Sequence, residues 1–123
     1  GQKINKEDLA GKIEVLNYAT GARTITEGGQ NQFMQDPNYQ NVRTSKPDAL
    51  VIMFGSNDCY AATWKGADHF IQSYVKFFEE MLLVVGDDKS KIFLLTPPPL
   101  YPRSLRMDYD RGEGACDENM RNE

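Results

Sequence analysis

The chain has 123 residues, 40% of them hydrophobic, and its 14 basic and 18 acidic residues give a net charge of −4. This length allows one domain with a modest core and gives no evidence for a second. The charges are spread along the chain rather than gathered in basic blocks, so a nucleic-acid partner is not expected. No apolar run approaches the roughly 20 residues of a membrane-spanning helix, so no membrane span is expected either.

The first third of the chain predicts one strand and a long polar loop. Residues 5–9 are typical of the end of a helix that Gly11 closes. Residues 12–18 carry the apolar side chains of a first strand, which are Ile13, Val15, Leu16 and Tyr18. Residues 23–46 are polar, with few core residues and a turn at 36–38, and they predict a loop with one short helical piece. A loop of this length suggests a function.

An uninterrupted apolar run at residues 50–54 is the clearest strand in the chain. It follows Pro47 and stops at Gly55, which is typical of a strand buried on both faces. The small and polar residues at 55–58 suit a tight turn at the carboxyl end of that strand. Because ligands bind at the carboxyl ends of strands in open α/β sheets, we expect a site at this turn.

The second half of the chain predicts a helix, a strand and a charged tail. In residues 66–85, apolar side chains repeat at helical spacing in a broad stripe, which predicts a wide face covered by a sheet. Residues 91–95 predict another buried strand, which the prolines at 97–99 end. Residues 103–123 are highly charged and predict a loop and the start of a truncated helix. Strand, loop, strand, helix and strand in this order predict a parallel α/β sheet.

Two short motifs stand at the ends of the first and second predicted strands. The first is Asn-Tyr-Ala-Thr-Gly-Ala-Arg-Thr at residues 17–24, and the second is Gly-Ser-Asn-Asp at residues 55–58. In this order they resemble the second and third motif blocks of the SGNH (GDSL-like) ester hydrolases, and the similarity extends over residues 9–101. The resemblance implies a flavodoxin-like three-layer sandwich with a parallel sheet, an ester substrate, and neither a cofactor nor a metal ion.

The resemblance also implies an oxyanion hole. The amide N–H of Gly21 and the side-chain NH2 of Asn57 match two of the family's donors, and each such donor can contribute about 3 kcal/mol to catalysis. We expect Gly21 to adopt an unusual backbone angle that lets its N–H point at the oxyanion. A simpler interpretation remains for both residues, since Gly21 could be a turn glycine and Asn57 part of an Asx turn.

Four further residues are assigned to the site at this stage. Asn17 and Asp58, one in each motif, are expected to brace their loops through hydrogen bonds. Tyr60 and Trp64 are expected to wall the substrate pocket, although aromatic residues at such positions can equally be packing groups.

Two motifs of the family do not occur in the chain. These are the Gly-Asp-Ser that holds the nucleophilic serine and the Asp-x-x-His that holds the other catalytic residues. His69, the only histidine, is expected to be a surface or helix-end residue. In the flavodoxin-like strand order, a missing first strand would lie between the strands at 12–18 and 50–54. We therefore expect an internal piece of a longer polypeptide, or a chain completed by another chain, and one that is inactive alone.

Two functions from different classes follow from this pattern. The first is a serine ester hydrolase that removes acetyl or other short acyl groups from a carbohydrate, because residues 55–64 and 96–101 resemble that branch of the family. The alternative is a structural or carbohydrate-binding pseudoenzyme subunit of a larger assembly. A nucleotide-binding function is disfavoured, because Gly28 and Gly29 open no evident helix that would hold phosphate.

The two cysteines, Cys59 and Cys116, offer one structural hypothesis. Both follow predicted strand ends, so a disulfide between them could tie the charged segment at 103–123 over the site. Such a bridge would favour an oxidising compartment, as for a secreted protein. Two cysteines without metal-ligand spacing do not predict a metal site.

Overall fold

The computed structural model describes residues 11–60 and 62–98, which contain a parallel β-α-β unit. In chain order the elements are a 3₁₀ turn at Phe33–Gln35, helix α1 at Pro37–Ser45, strand β1 at Leu50–Ile52, helix α2 at Ala67–Val84, a second 3₁₀ turn at Lys89–Lys91 and strand β2 at Ile92–Leu94. The strands pair in parallel, with Leu50 opposite Ile92 and Ile52 opposite Leu94. This small two-stranded sheet with helices is compatible with an incomplete α/β domain.

Helix α2 forms where the apolar periodicity predicts it, one residue inside the predicted limits at each end. Its inner side buries Phe77 and Met81, which are 2% and 1% exposed. Ile71 and Val75 are 55% and 49% exposed, so the apolar face that the described residues cover is narrower than predicted. Within the described ranges, no helix is both long and apolar enough to cross a membrane.

Helix α1 is the short helical piece that the sequence predicted within the loop at residues 23–46, but it begins where the sequence predicted a turn at 36–38. The Asp36 side chain accepts a hydrogen bond from the Asn38 N–H, and Pro37 occupies the first turn. Aspartate before proline is a common helix start, so the supposed turn is an N-cap. The prediction of few core residues here is also wrong, because Ile25, Phe33, Tyr39 and Val42 are buried.

The sheet has one covered face in the described part of the chain, whereas the sequence predicted strands buried on both faces. Ile52 and Ile92 belong to the core, while Val51, Met53 and Phe93 are 69%, 51% and 54% exposed. The prediction fails for these residues because no further element of the described chain packs on the outer face. Both strands are also shorter than the predicted 50–54 and 91–95.

The core lies between the covered face and the two helices, and its centre is aromatic. The ring centroids of Phe33, Phe54 and Phe77 lie 5.4, 5.5 and 6.1 Å apart. Their tilted and edge-on arrangements are those that aromatic pairs prefer. Tyr39 of α1 joins the cluster 6.4 Å from the ring of Phe77. The loop, α1, α2 and the end of β1 are therefore packed into one unit.

Residues 12–18 do not form the strand that their apolar pattern predicts. Ile13, Val15 and Leu16 are 60%, 85% and 47% exposed, and no strand of the described residues pairs with them. A strand requires a hydrogen-bonded neighbour, and residues 11–60 and 62–98 provide none at this place. The predicted helix end at 5–9 and the predicted tail at 103–123 lie outside the described residues.

Candidate active site

The Gly-Ser-Asn-Asp motif forms a turn directly beyond β1. Gly55 has a φ of 126°, which other residues rarely adopt, and its carbonyl accepts a hydrogen bond from the Asp58 N–H at 3.2 Å. A Cβ at position 55 would lie 3.3 Å from Cγ of Pro97, which follows β2. The turn therefore lies where the carboxyl ends of the two strands meet.

Asp58 is fully buried and joins this turn to the loop that follows the first motif. Its Oδ1 accepts hydrogen bonds from the Ile25 N–H at 2.7 Å and from the N–H and hydroxyl of Thr26, both at 2.8 Å. Its Oδ2 has no hydrogen-bond partner among residues 11–60 and 62–98. Through these three hydrogen bonds, the Asp58 carboxylate holds the loop at residues 25–26. Hydrogen bonds to a charged acceptor are stronger than those between neutral groups, so such contacts suit a bracing role.

The two residues proposed as oxyanion donors lie on neighbouring segments. Asn57 Nδ2 donates a hydrogen bond to the Arg23 carbonyl oxygen at 3.2 Å, close in sequence to Gly21. Gly21 is exposed, and a Cβ there would meet no described atom within 4 Å. The unusual backbone angle expected of Gly21 is found instead at Ala22, with a φ of 58°, because the left-handed position of this turn falls one residue later. The structure thus joins the two motifs, and no atom of residues 11–60 or 62–98 fills the space beside Gly21.

Asp36 fastens the first motif to the start of α1, and the sequence analysis missed this role. Its Oδ2 accepts a hydrogen bond from Arg23 Nε at 2.6 Å, and its Oδ1 accepts from the Asn38 N–H at 2.8 Å and the Thr20 hydroxyl at 3.4 Å. The Asn38 N–H foremost, and also the Arg23 guanidinium, lower the pKa of Asp36 from its ordinary value. The Asp-Pro pair could have indicated the N-cap, whereas the contacts with Thr20 and Arg23 depend on the fold.

The remaining predicted site residues make local contacts. Asn17 is exposed, and its Oδ1 accepts a hydrogen bond from the Ala19 N–H at 3.0 Å, which forms an Asx turn at the start of the first motif. The Tyr60 carbonyl accepts from the Trp64 N–H at 2.8 Å. The Trp64 ring is half-buried and lies 5.9 Å from the ring of Phe70 on α2. Trp64 therefore packs on the helix and still keeps exposed surface.

His69 lies in the first turn of α2 and contacts the loop between the motifs. Its Nε2 lies 2.9 Å from the Glu27 carbonyl oxygen. The Ser73 hydroxyl donates to the backbone carbonyl of His69 at 2.8 Å and accepts from the Glu27 N–H at 3.0 Å. These contacts hold the loop against the helix. No group of three or more His, Cys, Asp or Glu within the described ranges could hold a metal ion.

Cys59 lies directly after the turn, where it is fully buried and disulfide-bonded. Its Sγ lies 3.0 Å from the carbonyl oxygen of Ser56. Cys116, the partner that the sequence suggested, lies outside the described residues. The thiol chemistry of Cys59 is therefore not available to the site.

The chain is similar to one protein family and to a curated relative. The model of the family described as GDSL-like lipase/acylhydrolase matches residues 3–123. An acetylxylan esterase from Xylanibacter ruminicola is 25% identical over 113 residues, in an alignment that covers 76% of this chain and 23% of that protein. The chain thus spans less than a quarter of the length of that relative. No solved structure matches the chain.

Proposed function

Because this chain belongs to the GDSL-like lipase/acylhydrolase family, we propose that it supplies the oxyanion hole of a serine ester hydrolase. The Gly21 N–H and the Asn57 side-chain NH2 are the donors in this proposal. The observation that carries it is the hydrogen bond from Asn57 to the Arg23 carbonyl at 3.2 Å, which holds the second motif against the segment that contains Gly21. The resemblance of both motifs to those of the family supplies the donor roles.

The chemistry requires donors that are in place before the reaction. Attack by a serine on an ester carbonyl forms a tetrahedral intermediate whose oxygen carries a full negative charge. A carboxamide NH2 has two N–H groups, so Asn57 can donate one to Arg23 and direct the other at this oxygen. Asp58 supports this role, because its three hydrogen bonds fix the turn that carries Asn57. Donors fixed in this way need no reorganisation when the charge develops.

We take the substrate to be an acetylated or otherwise short-acylated carbohydrate. The similarity to an acetylxylan esterase supports this choice. Tyr60 and Trp64 come soon after Asn57, and we assign them to the wall of the substrate pocket. The Trp64 ring is held by Phe70 and keeps exposed surface, and an indole offers both an apolar face and an N–H donor to a sugar.

In this proposal, other residues complete a flavodoxin-like three-layer sandwich and supply the nucleophile. They would belong to a longer polypeptide or to another chain. Val51, Met53 and Phe93 are 69%, 51% and 54% exposed on the outer face of the sheet, and proteins normally cover a continuous apolar surface of this kind. The greater length of the acetylxylan esterase also supports this arrangement. Residues 1–123 alone would then be inactive.

The test uses the natural polypeptide that contains residues 1–123. Acetate release is measured on acetylated xylo-oligosaccharides, and a fluorophosphonate probe labels the nucleophilic serine, which mass spectrometry then locates. We expect acetate release and a labelled serine within a Gly-Asp-Ser sequence, and the heat-unfolded polypeptide serves as the control. Absence of both acetate release and labelling would refute the hydrolase. If the same polypeptide still bound the oligosaccharides, the pseudoenzyme alternative would replace it.

A further inference from the structure

We propose that Asp36 is a positioning residue that holds the two oxyanion donors, Gly21 and Asn57, in place. This inference rests on the proposed function. Asp36 is 8% exposed and lies at the N-cap of α1, outside both motifs. It would therefore act on the site through the residues that it binds, without touching the substrate.

The carboxylate of Asp36 holds both ends of the short segment that contains Gly21. The Thr20 hydroxyl donates to Oδ1 at 3.4 Å before this segment, and Arg23 Nε donates to Oδ2 at 2.6 Å after it. Between these anchors, Ala22 has a φ of 58°, a left-handed conformation that is unfavourable for alanine. The two anchors therefore stabilise a turn that the chain would not adopt freely, and this turn orients the Gly21 N–H.

The same carboxylate reaches Asn57 through Arg23. The side chain of Arg23 binds Asp36, while its backbone carbonyl accepts the hydrogen bond from Asn57 Nδ2 at 3.2 Å. The ion pair is sheltered, since the Arg23 side chain is 30% exposed and that of Asp36 is 4% exposed. Charge-assisted hydrogen bonds of this kind are strong and hold their geometry. A displaced Arg23 would displace the acceptor that orients Asn57, so Asp36 controls both donors.

The substitution Asp36→Asn separates this role from helix capping. Asparagine caps helices as well as aspartate does, and its Oδ1 can still accept from Asn38 and Thr20. Its NH2 group, however, replaces Oδ2 and faces Arg23 Nε, so that two donors oppose each other. The variant should therefore fold and lose only the anchor at Arg23.

Asp88→Asn is the matched control. Asp88 also caps a helical turn, by accepting a hydrogen bond from the Ser90 N–H at 3.0 Å, and its contacts lie outside both motifs. In the natural polypeptide, Asp36→Asn should lower kcat by at least about tenfold with KM nearly unchanged, because small displacements of catalytic groups are costly. Asp88→Asn should keep the wild-type kcat and a Tm close to that of the wild type, whereas Asp36→Asn should show a lower Tm, because a sheltered ion pair is lost, and should remain folded at the assay temperature. A wild-type kcat in Asp36→Asn would overturn the proposal.

A second measurement tests the positioning role independently of catalysis. Nuclear magnetic relaxation gives order parameters for the Gly21 amide and the Asn57 side-chain amide, and we expect a fall from about 0.85 to below about 0.6 in Asp36→Asn. Asp88→Asn should leave both values unchanged. If the wild type hydrolyses no ester, the proposed function fails, whereas a loss of order in Asp36→Asn still supports positioning by Asp36. Unchanged order parameters would overturn the positioning role whether or not the polypeptide is active.

Discussion

Oδ1 of Asp58 accepts hydrogen bonds from both the backbone N–H and the hydroxyl of Thr26, each at 2.8 Å. The two residues are 32 positions apart in the sequence; Asp58 is the last residue of the second motif, and Thr26 follows closely on the first. A single buried carboxylate therefore connects the two parts of the candidate site. Interactions of this kind are strong in a low-dielectric interior and are correspondingly costly to break.

Replacing Asp58 by alanine should strongly destabilise the protein. The change leaves the N–H of Ile25 and both donors of Thr26 buried without an acceptor. Since each buried unsatisfied group costs about 1–3 kcal/mol, the free energy of unfolding in urea should fall by about 3 kcal/mol or more. Asp58→Asn keeps an acceptor oxygen and should lose less. The exposed Asp48 provides the control, because Asp48→Ala should change this free energy by less than about 0.5 kcal/mol. Equal effects of the two alanine substitutions would contradict the bracing role.

Gly21→Ala should separate stability from activity. The φ of Gly21 lies outside the left-handed region, and an added Cβ meets no described atom within 4 Å. The free energy of unfolding should therefore change by less than about 0.5 kcal/mol. The methyl group would nevertheless occupy the space beside the proposed donor, so kcat/KM should fall by at least about tenfold.

Gly55→Ala is the informative comparison for that variant. Its Cβ would lie 3.3 Å from Pro97 Cγ, at a φ of 126°. Backbone strain of this kind costs about 1–3 kcal/mol, so this variant should lose stability as well as activity. A stable Gly21→Ala variant with the wild-type kcat/KM would show that no ligand approaches Gly21.

Tyr39 should ionise above the ordinary tyrosine pKa of about 10. Burial raises the pKa of Tyr39, and its hydrogen bond to the Glu80 carboxylate raises it further. Because the pKa of Tyr39 is higher in the folded than in the unfolded protein, the protonated phenol contributes to the free energy of unfolding. This contribution is complete below about pH 10 and is lost as the pH rises through the folded-state pKa.

Absorbance titration measures the ionisation of all six tyrosines. The difference between the titration curves of the wild type and Tyr39→Phe gives the ionisation of Tyr39. Glu80→Gln removes the neighbouring charge and should lower the pKa of Tyr39, whereas Glu79→Gln, at an exposed position of the same helix, should not. If Glu80→Gln left the Tyr39 component unchanged, the assigned cause of the raised pKa would be wrong.

The parts of the fold with strong local patterns could be predicted from the sequence. The apolar repeat of α2 and the apolar runs of β1 and β2 identify these elements because their signals lie within a few residues. Helix α1 was expected only as an unplaced short helical piece within the loop at residues 23–46, because its polar composition resembles a loop, although Asp36 and Pro37 carry an N-cap signal. Residues 12–18 have the pattern of a strand but lack a described neighbour, and no local pattern reveals whether a partner is present.

The site follows the same division between local and non-local information. Asn57 and Asp58 could be proposed from their motif, since the motif occupies consecutive residues after a strand. The partners of these residues, Arg23 and Thr26, are brought to them by the fold. Asp36 could not be assigned to the site at all, because its contact with Arg23 depends on how the loop returns onto α1.

Steady-state kinetics of Asn57→Ala in the natural polypeptide test the oxyanion hole most directly. Hydrolysis of an acetate ester should show kcat lowered by about 100-fold or more, with KM nearly unchanged, because the lost interaction exists mainly in the transition state. Gln72→Ala removes an exposed carboxamide from α2 and should keep the wild-type kcat. A folded Asn57→Ala variant whose kcat equals that of the wild type would contradict the assignment of Asn57 as an oxyanion donor.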